Sequence, residues 1–229
     1  MERHQLIKVE GVQKELFVEY GAGKAGLSSF VAQRLGELHE KAEAGKDSKV
    51  FVVIDRDALR MKKDLHIRNS GFETDRLRID IADFDLVKYL GLKHERQQPK
   101  VIGIAKHLCG GATDLALTSY NKLDGNQLLG LSMATCCHHL CDAKTYVNLN
   151  YIRTEFGITD HEFNVMVRCS SWAISPYVST QKRRAGFKMK RLLDLGRLMY
   201  IRDSCAQQVQ AVQYCNPATE SPECTLLLT

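Results

Sequence analysis

The chain alternates between short, strongly apolar runs and longer segments in which apolar residues recur at helical spacing. The clearest apolar runs cover residues 16–18, 50–54, 101–105 and 128–135. Nearly continuous apolar runs of this length are typical of strands that are buried on both faces. The alternation therefore predicts an α/β fold, with a mostly parallel sheet that is covered by helices on both faces.

Composition indicates one globular domain over residues 1–229 and excludes several other classes of protein. The 229 residues are 44% hydrophobic and 26% charged, with eight cysteines and a net charge of +5. The apolar run at 50–54 is far shorter than the roughly 18 residues of a membrane span. No apolar signal segment follows the first charges, so we expect an intracellular protein, cytoplasmic or nuclear, with reduced thiols.

Polar residues follow the ends of the predicted strands at Glu19, Asp55, Asp83, Lys106 and His138. The carboxyl ends of parallel strands lie at one edge of a sheet, and ligands of open α/β sheets bind outside that edge. These five residues are therefore predicted to surround a binding site.

Residues 19–26, E-Y-G-A-G-K-A-G, connect the first predicted strand to the first predicted helix. They satisfy the G-x-G-x-x-G pattern of dinucleotide-binding proteins. They also fit the acidic-x-G-x-G loop of methyltransferases that use S-adenosylmethionine, in which an acid such as Glu19 faces the ammonium end of the cofactor. In both interpretations Gly21 and Gly23 let the backbone approach the ligand, and the helix N-terminus beside Lys24 offers N–H groups to an anion.

Two acids after later strands favour the methyltransferase interpretation. Asp55 is placed to bridge two ribose hydroxyls, which suits either cofactor but excludes a 2′-phosphate. Asp83 is placed to accept a hydrogen bond from an adenine amino group. We therefore favour S-adenosylmethionine as the cofactor. An NAD-dependent oxidoreductase and an α/β domain that binds no nucleotide remain alternatives.

Three further segments carry a resemblance to a known family. They read I-A-K-H-L-C-G-G-A-T-D-L-A at 104–116, C-C-H-H-L-C at 136–141 and K-R-L-L-D-L-G-R at 190–197. With the loop at 19–28, they resemble the tRNA 2′-O-methyltransferases that modify the ribose of nucleotide 4 in the acceptor stem.

The resemblance implies a Rossmann-like class I methyltransferase fold with a mostly parallel seven-stranded sheet, S-adenosylmethionine as cofactor and tRNA as substrate. Full-length members carry small zinc modules ahead of the catalytic domain, so we expect this chain to be the catalytic domain only. The chain departs from the family's G-x-G-K-G loop at Ala25, which puts the contact at Gly26 in question. A methyltransferase-like tRNA-binding subunit without catalysis is a further alternative.

A ribose 2′-hydroxyl is a poor nucleophile, so such an enzyme must align it with the methyl group and help to remove its proton. Lys106 and His107 are predicted at the end of a strand, where the hydroxyl should arrive. We favour Lys106, either as a base or as a cation that orients the hydroxyl and a phosphate. His107 and His138 are alternatives, because histidine is the usual base near neutral pH.

The cysteine-rich segment contains Cys136, Cys137 and Cys141, without the second paired knuckle of a structural zinc site. Neighbouring residues at a strand end also point to opposite faces, so one ion is not expected to collect them all. We predict no metal ion, and buried thiols with one or two histidines that line the acceptor pocket. A zinc site and a nucleophilic cysteine remain alternatives.

The densest basic run lies within 182–191 and contains no acidic residue. Its members are Lys182, Arg183, Arg184, Lys188, Lys190 and Arg191. Basic side chains bind RNA phosphates, so we expect this run to face the tRNA, together with residues 141–176, which we predict to be irregular. A solvated helix face is the alternative. The sequence indicates no membrane partner and no obligate protein partner.

Overall fold

The computed structural model describes residues 13–42, 49–58, 62–94, 98–205, 208–217 and 219–229. The described strands are β1 (Glu15–Tyr20), β2 (Lys49–Asp55), β3 (Glu73–Arg78), β4 (Lys100–Cys109), β5 (Leu128–Cys136), β6 (Gln210–Gln213) and β7 (Thr225–Leu228). They form one sheet in the order β3-β2-β1-β4-β5-β7-β6.

The helices of these ranges are α1 (Gly26–Ala42), α2 (Lys62–Asn69), α3 (Leu86–His94), α4 (Gly111–Tyr120), α5 (Leu149–Phe156), α6 (Asp160–Cys169) and α7 (Thr180–Cys205). In the part of the chain that the structure describes, no helix combines the length and the apolar character needed to cross a membrane.

The sheet has a hydrophobic core on each face because its central strands are apolar on both. Leu16 and Val18 of β1 pack with Val52 of β2 in one core. Phe17 and Phe51 point to the opposite face, where their rings stack with centroids 5.0 Å apart in a second core. Successive side chains of a strand alternate between faces, so a continuous apolar run supplies both cores. The apolar runs predicted as buried strands are confirmed as β1, β2, β4 and β5.

The predicted fold class, a Rossmann-like class I methyltransferase with a mostly parallel seven-stranded sheet, is corrected to an α/β fold with a mixed sheet. The pairs along β3-β2-β1-β4-β5 are parallel, whereas β7 is antiparallel to both β5 and β6. The physical reason is the short connection at 214–224, since neighbouring parallel strands need a crossover of roughly a dozen or more residues, usually helical. The apolar pattern of β7 carries no information about its direction.

Residues 141–176, predicted to be irregular, are largely helical. They form α5, α6 and a short 3-10 helix at Ser170–Ala173. Ile152, Phe163 and Leu193 lie in a third core, where these helices pack with α7. The sequence analysis missed this core because each helix is short, and an apolar stripe of two or three turns is a weak periodic signal.

β3 ends at Arg78 and lies at an edge of the sheet. It ends there because the Asp80 carboxylate accepts a hydrogen bond from the Ala82 N–H (3.0 Å) and begins a 3-10 helix. At the other end of the sheet, α7 ends at Cys205 and Val212 lies in the edge strand β6.

A buried ionic network joins α7 to the segments that follow β4 and β5. Arg197 donates from Nη2 to Asp114 Oδ2 (2.8 Å) and from Nη1 to Asp194 Oδ1 (3.3 Å). The same Asp194 oxygen lies 2.7 Å from His138 Nε2. Arg197 also donates to the carbonyl of Gly110 (3.3 Å). These side chains are at most 2% exposed, so the network lies in the protein interior.

The charges in this network depend on one another. Burial opposes the charge of Arg197, but the Asp114 and Asp194 carboxylates outweigh it and raise the pKa of Arg197 well above its ordinary value. Burial likewise opposes the charge of Asp194, but His138 and Arg197 outweigh it and lower the pKa of Asp194. The loss of one partner would leave an uncompensated charge in a medium of low dielectric constant.

We predict that Arg197→Met lowers the free energy of unfolding by about 3–5 kcal/mol, because Asp114 and Asp194 stay buried without their cation. The matched control is Arg202→Met on the same helix. Arg202 is exposed and pairs with Asp203 at the surface, so that variant should change stability by less than about 0.5 kcal/mol. Urea unfolding followed by circular dichroism measures both, and equal losses would contradict a structural role for the network.

Candidate functional site

Two cavities open at the carboxyl edge of the sheet, and Gly21 and His107 line both. The first cavity has a volume of about 370 Å³, and Asp55, Asp80 and Cys109 are among its lining residues. The ends of β1, β2 and β4 thus meet at one crevice, as the sequence predicted from the polar residues after the strands.

The second cavity, of about 670 Å³, lies on the other side of Gly21 and His107. Glu19, Gly23 and Lys106 line it. One cavity therefore has the ends of β2 and β3 in its wall, and the other has the glycine loop and the exposed lysine of β4.

The loop at 21–25 has a left-handed backbone at three positions. Gly21 and Gly23 have φ angles of +63° and +52°. A Cβ at Gly21 would lie 2.7 Å from Leu108 Cδ1, so this position requires glycine for its close approach to β4 as well as for its backbone. Ala25 is fully buried at φ +59°, where a residue with a Cβ is strained by roughly 1–2 kcal/mol. The loop thus keeps a left-handed turn at the position where the family has glycine.

Asp55 holds the glycine loop from β2. Its Oδ2 accepts a hydrogen bond from the Gly23 N–H (2.7 Å), and its Oδ1 accepts one from the Asp57 N–H (2.8 Å). Each oxygen still has a lone pair for a ligand. Asp55 is therefore both a structural acceptor for the loop and a potential acceptor for a bound hydroxyl.

Arg76 supports the same loop from β3, and the sequence analysis missed it. Its guanidinium makes two hydrogen bonds of 2.7 Å to the buried carboxylate of Asp64, and it donates to the carbonyl of Gly23 (3.0 Å). A bidentate arginine–carboxylate pair fixes the direction of the remaining N–H group. The only hint in the sequence is a charged residue inside an edge strand.

Glu19 closes the loop from the end of β1. Its side chain is 3% exposed and accepts hydrogen bonds from both the N–H (3.0 Å) and the hydroxyl of Ser28, in the first turn of α1. Burial raises the pKa of Glu19, against the opposing effects of the Ser28 hydrogen bonds and the charge of Arg76. A cationic group in the second cavity would favour the charged form of Glu19.

A β-bulge at the end of β4 turns Lys106 and His107 toward the crevice. Between two consecutive residue pairs with β5, β4 contributes Lys106 and His107, whereas β5 contributes only Ala134. His107 has a left-handed φ of +61°, and both side chains are exposed. Bulges re-aim side chains in this way, and without one the two residues would point to opposite faces of the sheet.

Three predicted site residues lie elsewhere. Asp83 is exposed in the 3-10 helix Ile81–Asp83, and Asp80, not Asp83, lines the first cavity. Lys24 is exposed on the glycine loop and lines neither of the two cavities. His138 is 1% exposed and belongs to the buried network of Arg197, and its Nδ1 has no hydrogen-bond partner among the described residues.

The basic run lies on the first half of α7. Five of its six side chains are exposed: Lys182, Arg183, Arg184, Lys188 and Arg191.

The sixth, Lys190, is 5% exposed and forms an ion pair with Glu223. It therefore belongs to the packing between α7 and the segment before β7.

The basic helix rests on the 3-10 helix Ser170–Ala173. A Cβ at Gly186 would collide with the backbone N of Ala173, so glycine permits this close contact. Lys182 Nζ lies 5.3 Å from the ring centroid of Trp172, in a cation–π contact. Arg183 and Phe187 line a groove of about 530 Å³ beside the helix. The result is a firmly anchored helix with an exposed cationic face.

These features define an α/β protein with a crevice at the carboxyl edge of its sheet and a basic surface on a neighbouring helix. The family profile described as methyltransferase TRM13 matches residues 1–178. The chain belongs to the TRM13 methyltransferase family, which confirms the resemblance found in the sequence.

Curated relatives agree with the profile. A protein of Vanderwaltozyma polyspora named tRNA:m(4)X modification enzyme TRM13 is 29% identical, over 92% of this chain and 56% of the relative. The protein of that name from Saccharomyces cerevisiae is 29% identical, over 82% and 52%. The TRM13 homolog of Homo sapiens is 31% identical, over 78% and 43%. The chain thus spans about half the length of the curated relatives it matches.

Among solved structures, a mutant of the T5 5′-exonuclease aligns over 86% of this chain and 94% of its own, with 13% identity and a TM-score of 0.27. A score this low supports no conclusion about fold or function.

We predict that Glu19→Gln removes part of the decrease in the free energy of unfolding that accompanies rising pH. The folded protein binds the Glu19 proton more tightly than the unfolded chain, so this group's contribution to stability is lost as pH rises above the ordinary value of 4.5. The glutamine has no such proton. The free energy of unfolding of the variant relative to wild type should therefore increase from pH 4 to pH 8 in urea titrations. A relative stability that falls over this range would contradict the raised pKa.

Proposed function

We propose that this chain transfers a methyl group from S-adenosylmethionine to a ribose 2′-hydroxyl of tRNA, at nucleotide 4 of the acceptor stem. The relatives carry names of tRNA modification enzymes. The observation that carries the proposal is the crevice itself, in which buried acids hold the glycine loop and an exposed lysine follows on the bulged strand.

The hydrogen bond between Gly23 and Asp55 argues against the NAD-dependent alternative. In dinucleotide-binding proteins, the N–H groups of the glycine loop face a pyrophosphate anion. Here the Gly23 N–H donates to Asp55 Oδ2, and the carboxylates of Glu19 and Asp55 line the cavities. These charges repel a pyrophosphate but attract hydroxyl, amino and ammonium groups.

The residues fit S-adenosylmethionine by the chemistry of their donors and acceptors. Asp55 accepts hydrogen bonds from the ribose hydroxyls, and Asp80 in the same cavity accepts one from the adenine amino group, in place of Asp83. Glu19 faces the ammonium group from the second cavity. When bound, the cofactor supplies a methyl group on a positively charged sulfur, which is a strong electrophile.

Lys106 and His107 act on the acceptor. Lys106 contacts the target 2′-oxygen and is the first candidate for removal of its proton. As a cation it restricts the hydroxyl and the adjacent phosphate to one orientation. His107 lines both cavities and is the second candidate for removal of the hydroxyl proton. We assign no proton transfer to His138, because its Nε2 is already engaged by Asp194.

The basic face of α7 binds the phosphate backbone of the acceptor stem. A-form RNA exposes its 2′-hydroxyls in the wide, shallow minor groove, so the target hydroxyl is accessible without extrusion of a base. Phosphate contacts by Arg184, Lys188 and Arg191 hold the stem in register while the crevice receives one ribose.

The test of the proposal is transfer of a labelled methyl group from S-adenosylmethionine to deacylated tRNA by the purified chain. A 2′-O-methyl group blocks alkaline cleavage, so the label should remain in an alkali-resistant dinucleotide that contains nucleotide 4. Label in mononucleotides would show base methylation and would overturn the proposal. Binding of tRNA without any transfer would favour a non-catalytic subunit.

Lys106→Met should lower the rate of methyl transfer by roughly 10²–10⁴-fold, the usual contribution of a positioned proton-transfer group. The matched control is Lys122→Met. Lys122 is exposed between α4 and β5, at the opposite edge of the sheet, so this variant should retain wild-type rates. Equal rates for both variants would remove Lys106 from the proposed mechanism.

The double variant Lys188→Gln/Arg191→Gln should weaken tRNA binding and reduce its salt dependence. Each phosphate contact contributes about 0.7–0.9 to the slope of log affinity against log salt, so the slope should fall by between about 1.4 and 1.8. Fluorescence anisotropy with labelled tRNA measures it. Arg202→Gln, exposed near the end of the same helix, is the control. An unchanged slope in the double variant would show that this face does not bind RNA.

A further inference from the structure

Three cysteine thiols converge beside the crevice, at the ends of two neighbouring strands. The Sγ atoms of Cys109, Cys136 and Cys137 all lie within 4.8 Å of one another. Cys109 ends β4 and Cys136 ends β5, and the two are paired across the parallel strands. The sequence analysis predicted no metal ion, because the cysteine-rich segment at 136–141 has no second paired knuckle. Here the first thiol comes from a different strand.

The backbone at Cys137 makes the convergence possible. Adjacent residues of a regular strand point to opposite faces, which was the reason to expect that one ion would not reach both Cys136 and Cys137. Cys137, however, has a left-handed φ of +46° directly after β5. This turn breaks the alternation and brings both sulfurs to the same side as Cys109.

The spacing of the sulfurs matches that of thiolates around one ion. Tetrahedral zinc with Zn–S bonds of about 2.3 Å separates its sulfur ligands by about 3.8 Å. The Sγ atoms of Cys109 and Cys136 are 3.7 Å apart. All three thiols are free, so their sulfurs are available as ligands.

The surroundings of the three sulfurs leave access for an ion. Cys136 is buried, Cys137 is half-buried and Cys109 is exposed in the wall of the first cavity. Three protein ligands with one open side are the arrangement of zinc sites that keep a fourth position for water or another ligand.

We propose that Cys109, Cys136 and Cys137 form a three-thiolate site for a soft divalent cation, Zn²⁺, with the fourth position open toward the first cavity. Binding displaces the thiol protons to solvent and forms three metal–sulfur bonds, so no oxidant or reductant is needed. The ion links the carboxyl ends of β4 and β5 next to the bulge at Lys106. The site does not depend on methyl transfer, and its test has a separate readout.

The test is titration of the reduced, chelator-stripped protein with Co²⁺ alone as a spectroscopic probe. One equivalent should produce sulfur-to-cobalt charge-transfer absorption in the near ultraviolet, and one equivalent of Zn²⁺ should abolish it. Cys136→Ser should weaken Co²⁺ binding more than the roughly 10–100-fold typical for outer-shell partners, because it removes a direct ligand. Cys169→Ser, at the end of α6 and outside the cluster, should bind like wild type.

A second measurement uses only the wild-type protein, in case a serine variant does not fold. Alkylation by iodoacetamide, located by peptide mass spectrometry, should slow at Cys109 and Cys137 when Zn²⁺ is added but should not change at Cys169. Absence of charge-transfer absorption, absorption that persists in Cys136→Ser, or alkylation unaffected by Zn²⁺ would each overturn the proposal. Failure of methyl transfer with intact Co²⁺ binding would overturn only the proposed function.

Discussion

The buried pairing of Arg197 with Asp114 and Asp194 is the interaction on which the rest of the structure depends. It connects α7 to α4 and, through His138, to the end of β5. The segments 104–116, 136–141 and 190–197, which carry the family resemblance, meet at this network. Because a buried charge is tolerated only with its partners, the network fixes the strand ends that form the crevice relative to the basic helix.

The glycine loop is held by a second set of charges at the edge of the sheet. Asp55 accepts from the Gly23 N–H, Arg76 donates to the Gly23 carbonyl, and Asp64 orients Arg76. These hydrogen bonds hold the backbone of the loop in one conformation. In the proposed function, Glu19, Asp55 and Asp80 in the cavity walls favour hydroxyl and ammonium groups over phosphates. In the same proposal, the phosphate backbone of the RNA meets mainly the basic face of α7, so the two proposed substrates meet surfaces of opposite charge.

The strands of the sheet core could be predicted because β1, β2, β4 and β5 bury both faces and are therefore apolar throughout. The helices in 141–176 could not be predicted, because their apolar stripes are short and can be recognised as core positions only once these helices pack against α7 and each other. Glu19, Asp55, Lys106 and His107 were predicted from their positions after strands. Asp80 was not predicted, because its place in the cavity wall depends on where β3 ends. No local sequence pattern indicates that Arg76 supports the glycine loop.

The sequence by itself identified three features: the polar residues after each buried strand, the glycine loop and the family. Each of them can be recognised from local periodicity or from a contiguous segment. Only the tertiary structure decided that β7 is antiparallel, that Lys190 and His138 are internal, and that Cys109 meets Cys136 and Cys137. These outcomes depend on contacts between residues far apart in the chain and on left-handed backbone turns at single positions. Neither leaves a periodic trace in the sequence, because burial and pairing are settled only when the strands and helices pack.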